Sequence, residues 1–300
     1  MPQLHLILAS SSPQAMLVRR GPKNWSCVFG WDRTTDTFQP GQCVRGHLYA
    51  THSTLSPCGK WFAYSVIRNR RTEMGYYVGW PYSVVSRVPW LKALAFWDKG
   101  GVGLLRKNGL ELQLEVMPDH DGLILPDTTH QDWPSTGIRM VPRDRPWGQP
   151  ISNGGIDFDK WQTEGWMPIS PFEICSEEEC QGVASWRRPN DVHRIHFEKH
   201  VLGTDWKLRM SHWCGCHDDN RTSKETHRGV SFETFKLISR DGETLSFPNW
   251  TSADYDTFRD RIVWTQGQQL WAGNLWDKLS KPQLLLDLTG KKGWKTTAPY

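Results

Sequence analysis

The sequence predicts an all-β fold, a single β-propeller of five to seven short blades that occupies residues 1–300. Short strands of alternating apolar pattern are separated by polar turns, Trp residues are spread along the whole chain, and no stretch of ten residues has a convincing helical period. The blade number follows from the length, because one four-stranded blade takes about 40 to 50 residues. We expect pairing near the two termini to close the ring and remove exposed sheet edges.

The Trp content supports this architecture. The chain has 18 Trp and only 7 Tyr, and the Trp residues run from Trp25 to Trp294 through nearly every candidate strand. An even spread favours a repeated structural role over a single aromatic pocket. Trp is large, flat and compatible with strands, so it suits the interfaces between packed blades.

The most informative local segment is the turn that precedes residues 61–66. Pro57 presets the backbone angle of a turn, and Gly59 tolerates a positive φ. The residues that follow alternate between the two faces of a strand. Residues 55–65 therefore predict a turn that leads into a blade strand.

Strands are predicted along most of the chain. The first blade takes a strand within residues 1–9 and strands at 15–21, 25–32 and 37–41. The second starts at 55 and continues through 76–80 and 93–97, and a strict alternation marks a hairpin at 101–105 and 110–116. Later strands are predicted at 183–186, 192–197, 206–213, 259–264, 269–275 and 282–288.

Two regions depart from this pattern. Residues 117–171 are the least repetitive and hold many of the prolines and glycines, so we expect a long irregular insertion there. Residues 83–95 contain the one candidate for a helical period, which Pro89 interrupts.

The turn resembles the repeats of TolB-like propellers. The turn follows the Ser-Pro-Asp-Gly-Lys motif of those repeats at Ser56, Pro57, Gly59 and Lys60. Cys58 occupies the position where Asp is usual. Residues 38–49 extend this resemblance. Together, the first hundred residues and the hairpin at 259–275 resemble a group of bacterial propeller proteins of uncharacterised function. The resemblance implies a propeller fold and no catalytic residues.

The net charge and the cysteines indicate which ligands and which cellular compartment to expect. A net charge of +4 is small for 300 residues, so a dedicated nucleic-acid binder is not expected. The apolar run at residues 4–9 is too short for a signal core or a membrane span. The scattered cysteines, seven in number, predict buried thiols in a reducing, cytoplasmic compartment; they are Cys27, Cys43, Cys58, Cys175, Cys180, Cys214 and Cys216.

A cluster of soft ligands raises the question of zinc. His212, Cys214, Cys216 and His217 are suitable ligand types, but a Cys-x-Cys spacing is tighter than the usual gap, and His217 would point away from the others on a strand. The favoured interpretation is a strand end, with a structural zinc site as the alternative. No cofactor and no metal are therefore predicted.

Three histidines invite an acid-base role. His193, His196 and His200 would be collinear only on a helix, whereas a strand places His193 on the opposite face from the other two. We interpret them as partly exposed strand residues.

Acidic residues beside Trp raise the question of glycan chemistry. Asp157, Asp159 and Glu164 lie close to Trp161 and Trp166, and propeller glycosidases place paired carboxylates in the central funnel. A solvated strand edge explains the same residues more simply. If these acids point into the funnel beside the two Trp residues, the enzyme interpretation gains.

No catalytic constellation is predicted, so the leading functional hypothesis is a non-enzymatic scaffold. It would present blade loops to a protein partner, as an accessory subunit of a bacterial signalling or defence complex, and would be a monomer outside that complex. The alternative is a carbohydrate-active enzyme or lectin that uses residues 157–166.

Overall fold

A computed structural model describes residues 2–21, 25–67, 70–71, 77–78, 81–97, 100–106, 111–116, 139–141, 160–169, 173–174, 192–215 and 231–299. Within these ranges the helical structure is limited to one turn at residues 160–163 and a 3-10 turn at Leu275–Asp277. The rest is strand and turn. The prediction of an all-β, propeller-like fold is confirmed.

Blade 1 is a four-stranded antiparallel sheet made by the first 45 residues. The predicted strands are all present, and their order in the sheet follows the chain. The strands are β1 (Gln3–Leu8), β2 (Gln14–Arg20), β3 (Trp25–Asp32) and β4 (Thr37–Arg45).

Blade 2 is also a four-stranded antiparallel sheet. Its strands from the inside outward are β5 (His47–Leu55), β6 (Trp61–Ile67), β9 (Pro81–Arg87) and β10 (Ala95–Trp97), and a small hairpin of β7 (Arg70–Arg71) and β8 (Tyr77–Val78) follows β6.

One prediction for blade 2 was wrong. The blade was predicted to begin at residue 55, whereas it begins with β5, where an irregularity in the pairing between Tyr49 and Thr54 breaks the alternation of the strand. Residues 83–95 are not helical, as the interruption by Pro89 indicated: they comprise the end of β9, a connection and the first residue of β10, and the β-branched Val84 and Val85 pair with β6. A cis peptide bond joins Val88 to Pro89 just after β9.

A three-stranded sheet packs against blade 2. The hairpin predicted at 101–116 is present as β11 (Gly100–Arg106) and β12 (Glu111–Val116), and β13 (Arg139–Val141) pairs with β12 in parallel. β11 contacts β5, β6 and β9.

Blade 3 comprises β14 (Met167–Pro168), β15 (Glu173–Ile174), β16 (Val192–His200), β17 (Trp206–Gly215), β18 (Ser231–Ser239) and β19 (Thr244–Phe247). Blade 4 comprises β20 (Ser252–Asp256), β21 (Arg261–Gln266), β22 (Gln269–Gly273) and β23 (Gln283–Asp287). The late hairpin and its outer strand are thus where the sequence predicted them.

The described residues form four blades, whereas the sequence predicted five to seven. Three hydrophobic clusters join them in the spatial order 2, 1, 4, 3. One cluster lies between blades 1 and 2, one between blades 1 and 4, and one between blades 3 and 4. The blades therefore follow one another around an arc, with the first and the last side by side.

The two ends of the chain meet where blade 1 touches blade 4. The amide of Leu4 donates to the carbonyl of Gly267 at 2.8 Å, and the amide of Leu6 donates to Ser252 Oγ at 2.9 Å. The junction is made by neighbouring blades, each with its own sheet.

Several of the described Trp residues serve the packing role that the sequence predicted. Trp250 stacks on Phe247 at 3.9 Å and on Trp264 at 4.8 Å between ring centroids. Trp161 and Trp166 belong to the same cluster between blades 3 and 4. Dispersed Trp residues thus fill the spaces between sheets.

The cysteine prediction needs a correction. Cys27 on β3 and Cys43 on β4 are joined by a disulfide instead of being free thiols. They are directly paired across the two strands, a register that brings their side chains together. Cys58 Sγ lies 3.3 Å from Ser56 Oγ, within the predicted turn.

Part of the predicted insertion, residues 117–171, is described. Residues 160–169 pack into the core, and β13 joins the three-stranded sheet, while most of the segment lies outside the described residues. No helix in the described part of the chain is both long and apolar enough to cross a membrane.

Candidate functional site

Two features of the structure are candidates for a functional site. The first is a cavity at the centre of the blade array, which we call the central cavity. Its lining comes from the inner strands β1, β5 and β20, from β17 and β18, and from the helical turn at 160–163. The polar residues that line it are His5, Thr51, Lys160, Glu164, Glu233, Ser252 and Asp254.

One side of the central cavity holds two lysine–carboxylate pairs. Lys199 Nζ donates to Asp254 Oδ1 at 2.5 Å and to the carbonyl of Glu164 at 2.8 Å. Lys160 Nζ lies 3.5 Å from Glu164 Oε1, one helical turn away. Burial raises the pKa of Glu164, and the attraction of Lys160 only partly opposes this, because Asp254 acts in the same direction as burial.

The other side holds a carboxylate between two imidazoles. His212 Nδ1 lies 3.6 Å from Glu233 Oε1, and the His212 ring contacts Trp161 at 4.3 Å. Burial favours neutral Glu233, but His212, His5 and Lys160 outweigh it and lower its pKa. Burial lowers the pKa of His5 to about 4 against the opposing charge of Glu233.

The size of the central cavity decides what it can hold. Its volume is about 50 Å³, whereas sites for small-molecule ligands typically measure about 300–1,000 Å³. A space of this size holds one or two water molecules. The central cavity is therefore a buried polar cluster with no room for a sugar ring.

The structure brings together some of the residues that the sequence singled out for glycan chemistry. Glu164, Trp161 and Trp166 all line the central cavity, as the enzyme interpretation requires. Asp157 and Asp159 lie outside the described residues. Lys199, which donates to the Glu164 carbonyl and to Asp254, was not anticipated from the sequence.

The histidine prediction is confirmed as far as it is described. Residues 193, 196 and 200 all lie on the strand β16 instead of a helix. His196 Nδ1 lies 2.7 Å from Ser211 Oγ, and His200 is exposed.

The described residues contain no set of ligands that would support the zinc alternative. His212 and Cys214 lie on β17, as the strand interpretation predicts, while Cys216 and His217 fall outside the described residues. Across the described ranges, no group of three or more His, Cys, Asp or Glu residues could hold a metal ion.

The second feature is an open cleft between blades 1 and 2, which we call the blade 1–2 groove. Its volume is about 740 Å³, within the usual range of ligand sites. Blade 1 contributes the polar residues Gln14, Asp32, Thr37 and Gln39, together with Gly30 and Phe38. Blade 2 contributes Lys60, Trp61, Arg87, Val88 and Pro89.

Glycines set the depth of the blade 1–2 groove. A Cβ on Gly41 would lie 1.8 Å from the carbonyl oxygen of Pro89, and a Cβ on Gly30 would lie 3.1 Å from Pro89 Cβ. Gly59 adopts φ +74°, as its predicted turn requires, and a Cβ there would lie 2.5 Å from Gln14 Cβ. The two blades touch at these points, and the groove opens beyond them.

The charged groups of the blade 1–2 groove sit mainly at its surface. Lys60 and Arg87 are exposed, and the Arg87 guanidinium lies over the Trp61 ring, 5.9 Å from its centroid. Asp32 accepts hydrogen bonds from Thr34 Oγ1 at 2.6 Å and from the Thr34 amide at 2.9 Å, and these bonds lower its pKa.

Sequence reasoning treated Lys60 and Trp61 as parts of a turn and a strand, and it did not identify the groove. The one signal was the concentration of Gly, Pro and polar residues in the connections of the first hundred residues. That signal marks turns without saying which of them meet.

Comparison with known proteins adds no family. No protein-family model matches the chain, and no curated protein sequence matches it. The resemblance to TolB-like repeats therefore stays a prediction, and the geometry of the two features carries the functional argument.

Proposed function

We propose that this protein is a non-enzymatic scaffold that binds a protein partner in the blade 1–2 groove. The observation that carries the proposal is the open volume of about 740 Å³ between two blades that the core holds in place. Two packed sheets that already form an open cleft can bind a partner without ordering themselves first, which lowers the cost of binding.

Binding is favoured over catalysis by the contrast between the two features. Among the described residues that line the open groove, Asp32 is the one carboxylate, and no second acid is present there to form a general acid–base pair. The central cavity has three carboxylates and too little space for a substrate. The carbohydrate alternative is supported by the presence of Glu164, Trp161 and Trp166 in the lining of the central cavity, and the small volume of that cavity opposes it.

The finer parts of the proposal extend the sequence predictions. We propose a bacterial TolB-like propeller, an accessory subunit of a signalling or defence complex, that is monomeric outside it. The three-stranded sheet beside blade 2 is the natural fifth blade of a ring of five to seven, because it continues the arc 2, 1, 4, 3 at its open end.

The cytoplasmic location is part of the proposal. The Cys27–Cys43 disulfide is unexpected there, because disulfides are rare in reducing compartments. Alkylation of free thiols in intact cells, followed by mass spectrometry, measures this. Alkylated Cys27 and Cys43 are the cytoplasmic result, and protected cysteines that react only after reduction would place the protein in an oxidising compartment.

The scaffold is tested by affinity purification from cells that naturally produce the protein. The wild type is compared with a K60E/R87E variant of the groove and with a K236E/K281E variant, which makes the same charge change at exposed positions of blade 3 and of the β22–β23 connection. We expect a stoichiometric protein that is lost only from the groove variant. Recovery of the same protein with all three baits would refute the assignment of the groove.

A further inference from the structure

We infer that blade 1 binds single-stranded nucleic acid where residues 291–296 cross it. We call these residues the terminal segment, and the surface that they form with the neighbouring ends of β3 and β4 the basic face. The inference goes beyond the proposed function and uses a different surface from the blade 1–2 groove. It follows from an uneven distribution of charge, from four exposed cations and from the exposed ring of Trp25.

The terminal segment lies on the side of blade 1 that points away from the groove. Gly30 of β3 meets Pro89 of blade 2, whereas the ring of its neighbour Phe29 contacts Trp294 at 4.7 Å between centroids. Adjacent residues of a strand point to opposite faces of a sheet. The basic face and the groove are therefore separate surfaces.

Hydrogen bonds fix the path of the terminal segment. The guanidinium of Arg19 donates to the carbonyl of Lys291. The side-chain amide of Gln42 donates to the carbonyl of Thr296 at 3.2 Å, and the indole of Trp294 donates to a carbonyl of β4 at 2.8 Å. These bonds use the backbone and the inward-facing ring of the segment, so its lysine side chains remain exposed to solvent.

The charge around the terminal segment is of one sign. Residues 1–31, 37–72 and 288–300 contain no Asp or Glu, so the net charge of +4 averages over a very uneven distribution. The two acids of blade 1, Asp32 and Asp36, belong to the β3–β4 turn, at the opposite end of these strands from the basic face. The end of blade 1 beside the terminal segment is therefore positive.

Four exposed cations of the basic face are available to a ligand. Within the described ranges their side chains take part in no ion pair or hydrogen bond; they are Arg45, Lys291, Lys292 and Lys295. The carboxylate nearest in sequence, Asp287, accepts hydrogen bonds from the Gln269 side chain and the Thr289 amide. A row of such cations attracts a polyanion, because binding releases the counterions that surround its phosphates.

Trp25 adds an aromatic surface beside these cations. It is 37% exposed and is paired directly with Arg45 across β3 and β4. The Cβ position of Gly21 lies 3.8 Å from Trp25 Cβ and 3.9 Å from Arg19 Nη1. Since the same guanidinium holds the carbonyl of Lys291, the ring and the terminal segment are close neighbours. A base can stack on such a ring while the cations bind the adjoining phosphates.

The single exposed ring favours single-stranded nucleic acid over other polyanions. Surfaces that bind membranes insert several large apolar side chains, whereas Trp25 is the one that is exposed on the described residues of β3, β4 and the terminal segment. An acidic peptide has no base to stack, and a duplex keeps the faces of its bases inside the helix.

The test is the fluorescence anisotropy of a labelled oligothymidylate titrated with the purified full chain. K292Q/K295Q removes two cations of the terminal segment, and K236Q/K281Q is the matched control at exposed positions elsewhere. At about 0.1 M salt the dissociation constant should rise at least about tenfold in K292Q/K295Q and stay unchanged in the control. The slope of log K against log salt should become shallower by about 1.4, since each contact with a single strand contributes about 0.7.

A second measurement separates stacking from charge. Trp25→Leu should raise the dissociation constant at least about fivefold, while Trp276→Leu, at a 74% exposed position of blade 4, should leave it unchanged. An abasic strand of the same length should bind the wild type more weakly than the oligothymidylate and should not distinguish Trp25→Leu from the wild type. Thermal unfolding shows whether each variant is folded, and the abasic strand needs no variant.

Several results would overturn the inference. They are an oligothymidylate that does not bind at about 0.1 M salt, equal losses in the two lysine variants, and an abasic strand or polyglutamate that binds as tightly as the oligothymidylate. Phosphatidylserine vesicles that bind in place of the oligothymidylate would assign the basic face to membranes instead. The K60E/R87E variant of the groove should bind the oligothymidylate like the wild type, so failure of the groove and failure of the basic face are told apart.

Discussion

Blade 1 has two neighbours, and its contacts with them differ in kind. Buried ion pairs join it to blade 4. Asp256 binds Arg33 Nη1 at 3.1 Å and Arg261 Nε at 3.2 Å, and Arg261 also binds Asp36. Arg33 is 1% exposed and donates to the carbonyls of Ala9, Ser12 and Pro13 in the first turn.

The segment after β23 makes further contacts with blade 1. Trp294 lies 4.7 Å from Phe29 between ring centroids and donates to the Gly41 carbonyl, and Arg19 donates to the carbonyl of Lys291 at 2.5 Å. Residues 291–296 thereby cross the outer strands of blade 1.

Toward blade 2 the contact is narrow. Gly30, Gly41 and Gly59 allow a close approach at a few points, and a cleft of about 740 Å³ opens beside them. The comparison teaches that one junction closes the fold with specific charge pairs, while the other leaves space and exposed side chains for a partner.

The largest expected effect is at the junction with blade 4. Asp256→Ala leaves Arg33 and Arg261 buried without a shared carboxylate, so we expect the free energy of unfolding to fall by about 3–5 kcal/mol. Chemical denaturation measures it. The control is Glu243→Gln, whose exposed ion pair with Lys278 should contribute less than about 1 kcal/mol. Equal losses in the two variants would contradict the stabilising role of the buried ion pairs of Asp256.

The contact between blades 1 and 2 gives the next effect. Gly41→Ala places a Cβ against the backbone of Pro89, so we expect a loss of about 1–3 kcal/mol in the free energy of unfolding. Gly293→Ala is the matched control, because its Cβ would meet only Cys27 Sγ at 3.9 Å. A neutral Gly41→Ala would show that the blades do not touch there.

Acid should weaken the fold through His5, which β1 carries into the central cavity. Its folded pKa of about 4 lies below the usual histidine pKa of 6.5, so the unfolded chain binds the proton first as pH falls. We expect roughly 1–3 kcal/mol to be lost between pH 6.5 and 4.

The lowered pKa of Glu233 acts in the same direction, and the raised pKa of Glu164 opposes both. His5→Gln should flatten the loss measured by denaturation at several pH values, whereas the exposed His200→Gln should leave the curve unchanged. A curve that is the same for wild type and His5→Gln would exclude this role.

A smaller effect is expected at the terminal segment. Trp294→Phe keeps a ring against Phe29 and removes the hydrogen bond to Gly41, which should cost about 1 kcal/mol. The 74% exposed Trp276 gives the control, Trp276→Phe, with no measurable change expected in thermal unfolding. If both variants unfold alike, the segment does not hold blade 1.

The sequence predicted those features that local pattern controls. Alternation identified β2, β3, β17 and the hairpin of blade 4, and the Pro57–Gly59 turn has the backbone that its residues require. β5 was missed because its irregular pairing removes the alternation on which such predictions depend.

The sites could not be predicted, because distant residues create them. Gly41 meets Pro89 only through the packing of two blades, and Lys199 meets the Glu164 carbonyl and Asp254 only at the centre of the array. A single sequence records side-chain types at these positions without recording which of them meet.

The smallest effect on stability should come from the groove. Lys60 and Arg87 are exposed, so K60E/R87E should change the free energy of unfolding by less than about 1 kcal/mol while it removes partner binding. A large loss of stability would place these residues among the structural contacts.

The most direct test of the difference between the two junctions is site-specific photocrosslinking in cells that naturally produce the protein. A photoreactive phenylalanine analogue replaces Gln39 in the groove or, as a control, the 42% exposed Leu284 on blade 4. We predict one discrete crosslinked protein from position 39 and none from position 284. Crosslinking from position 284 alone, or from neither position, would contradict the assignment of the blade 1–2 groove as the docking site.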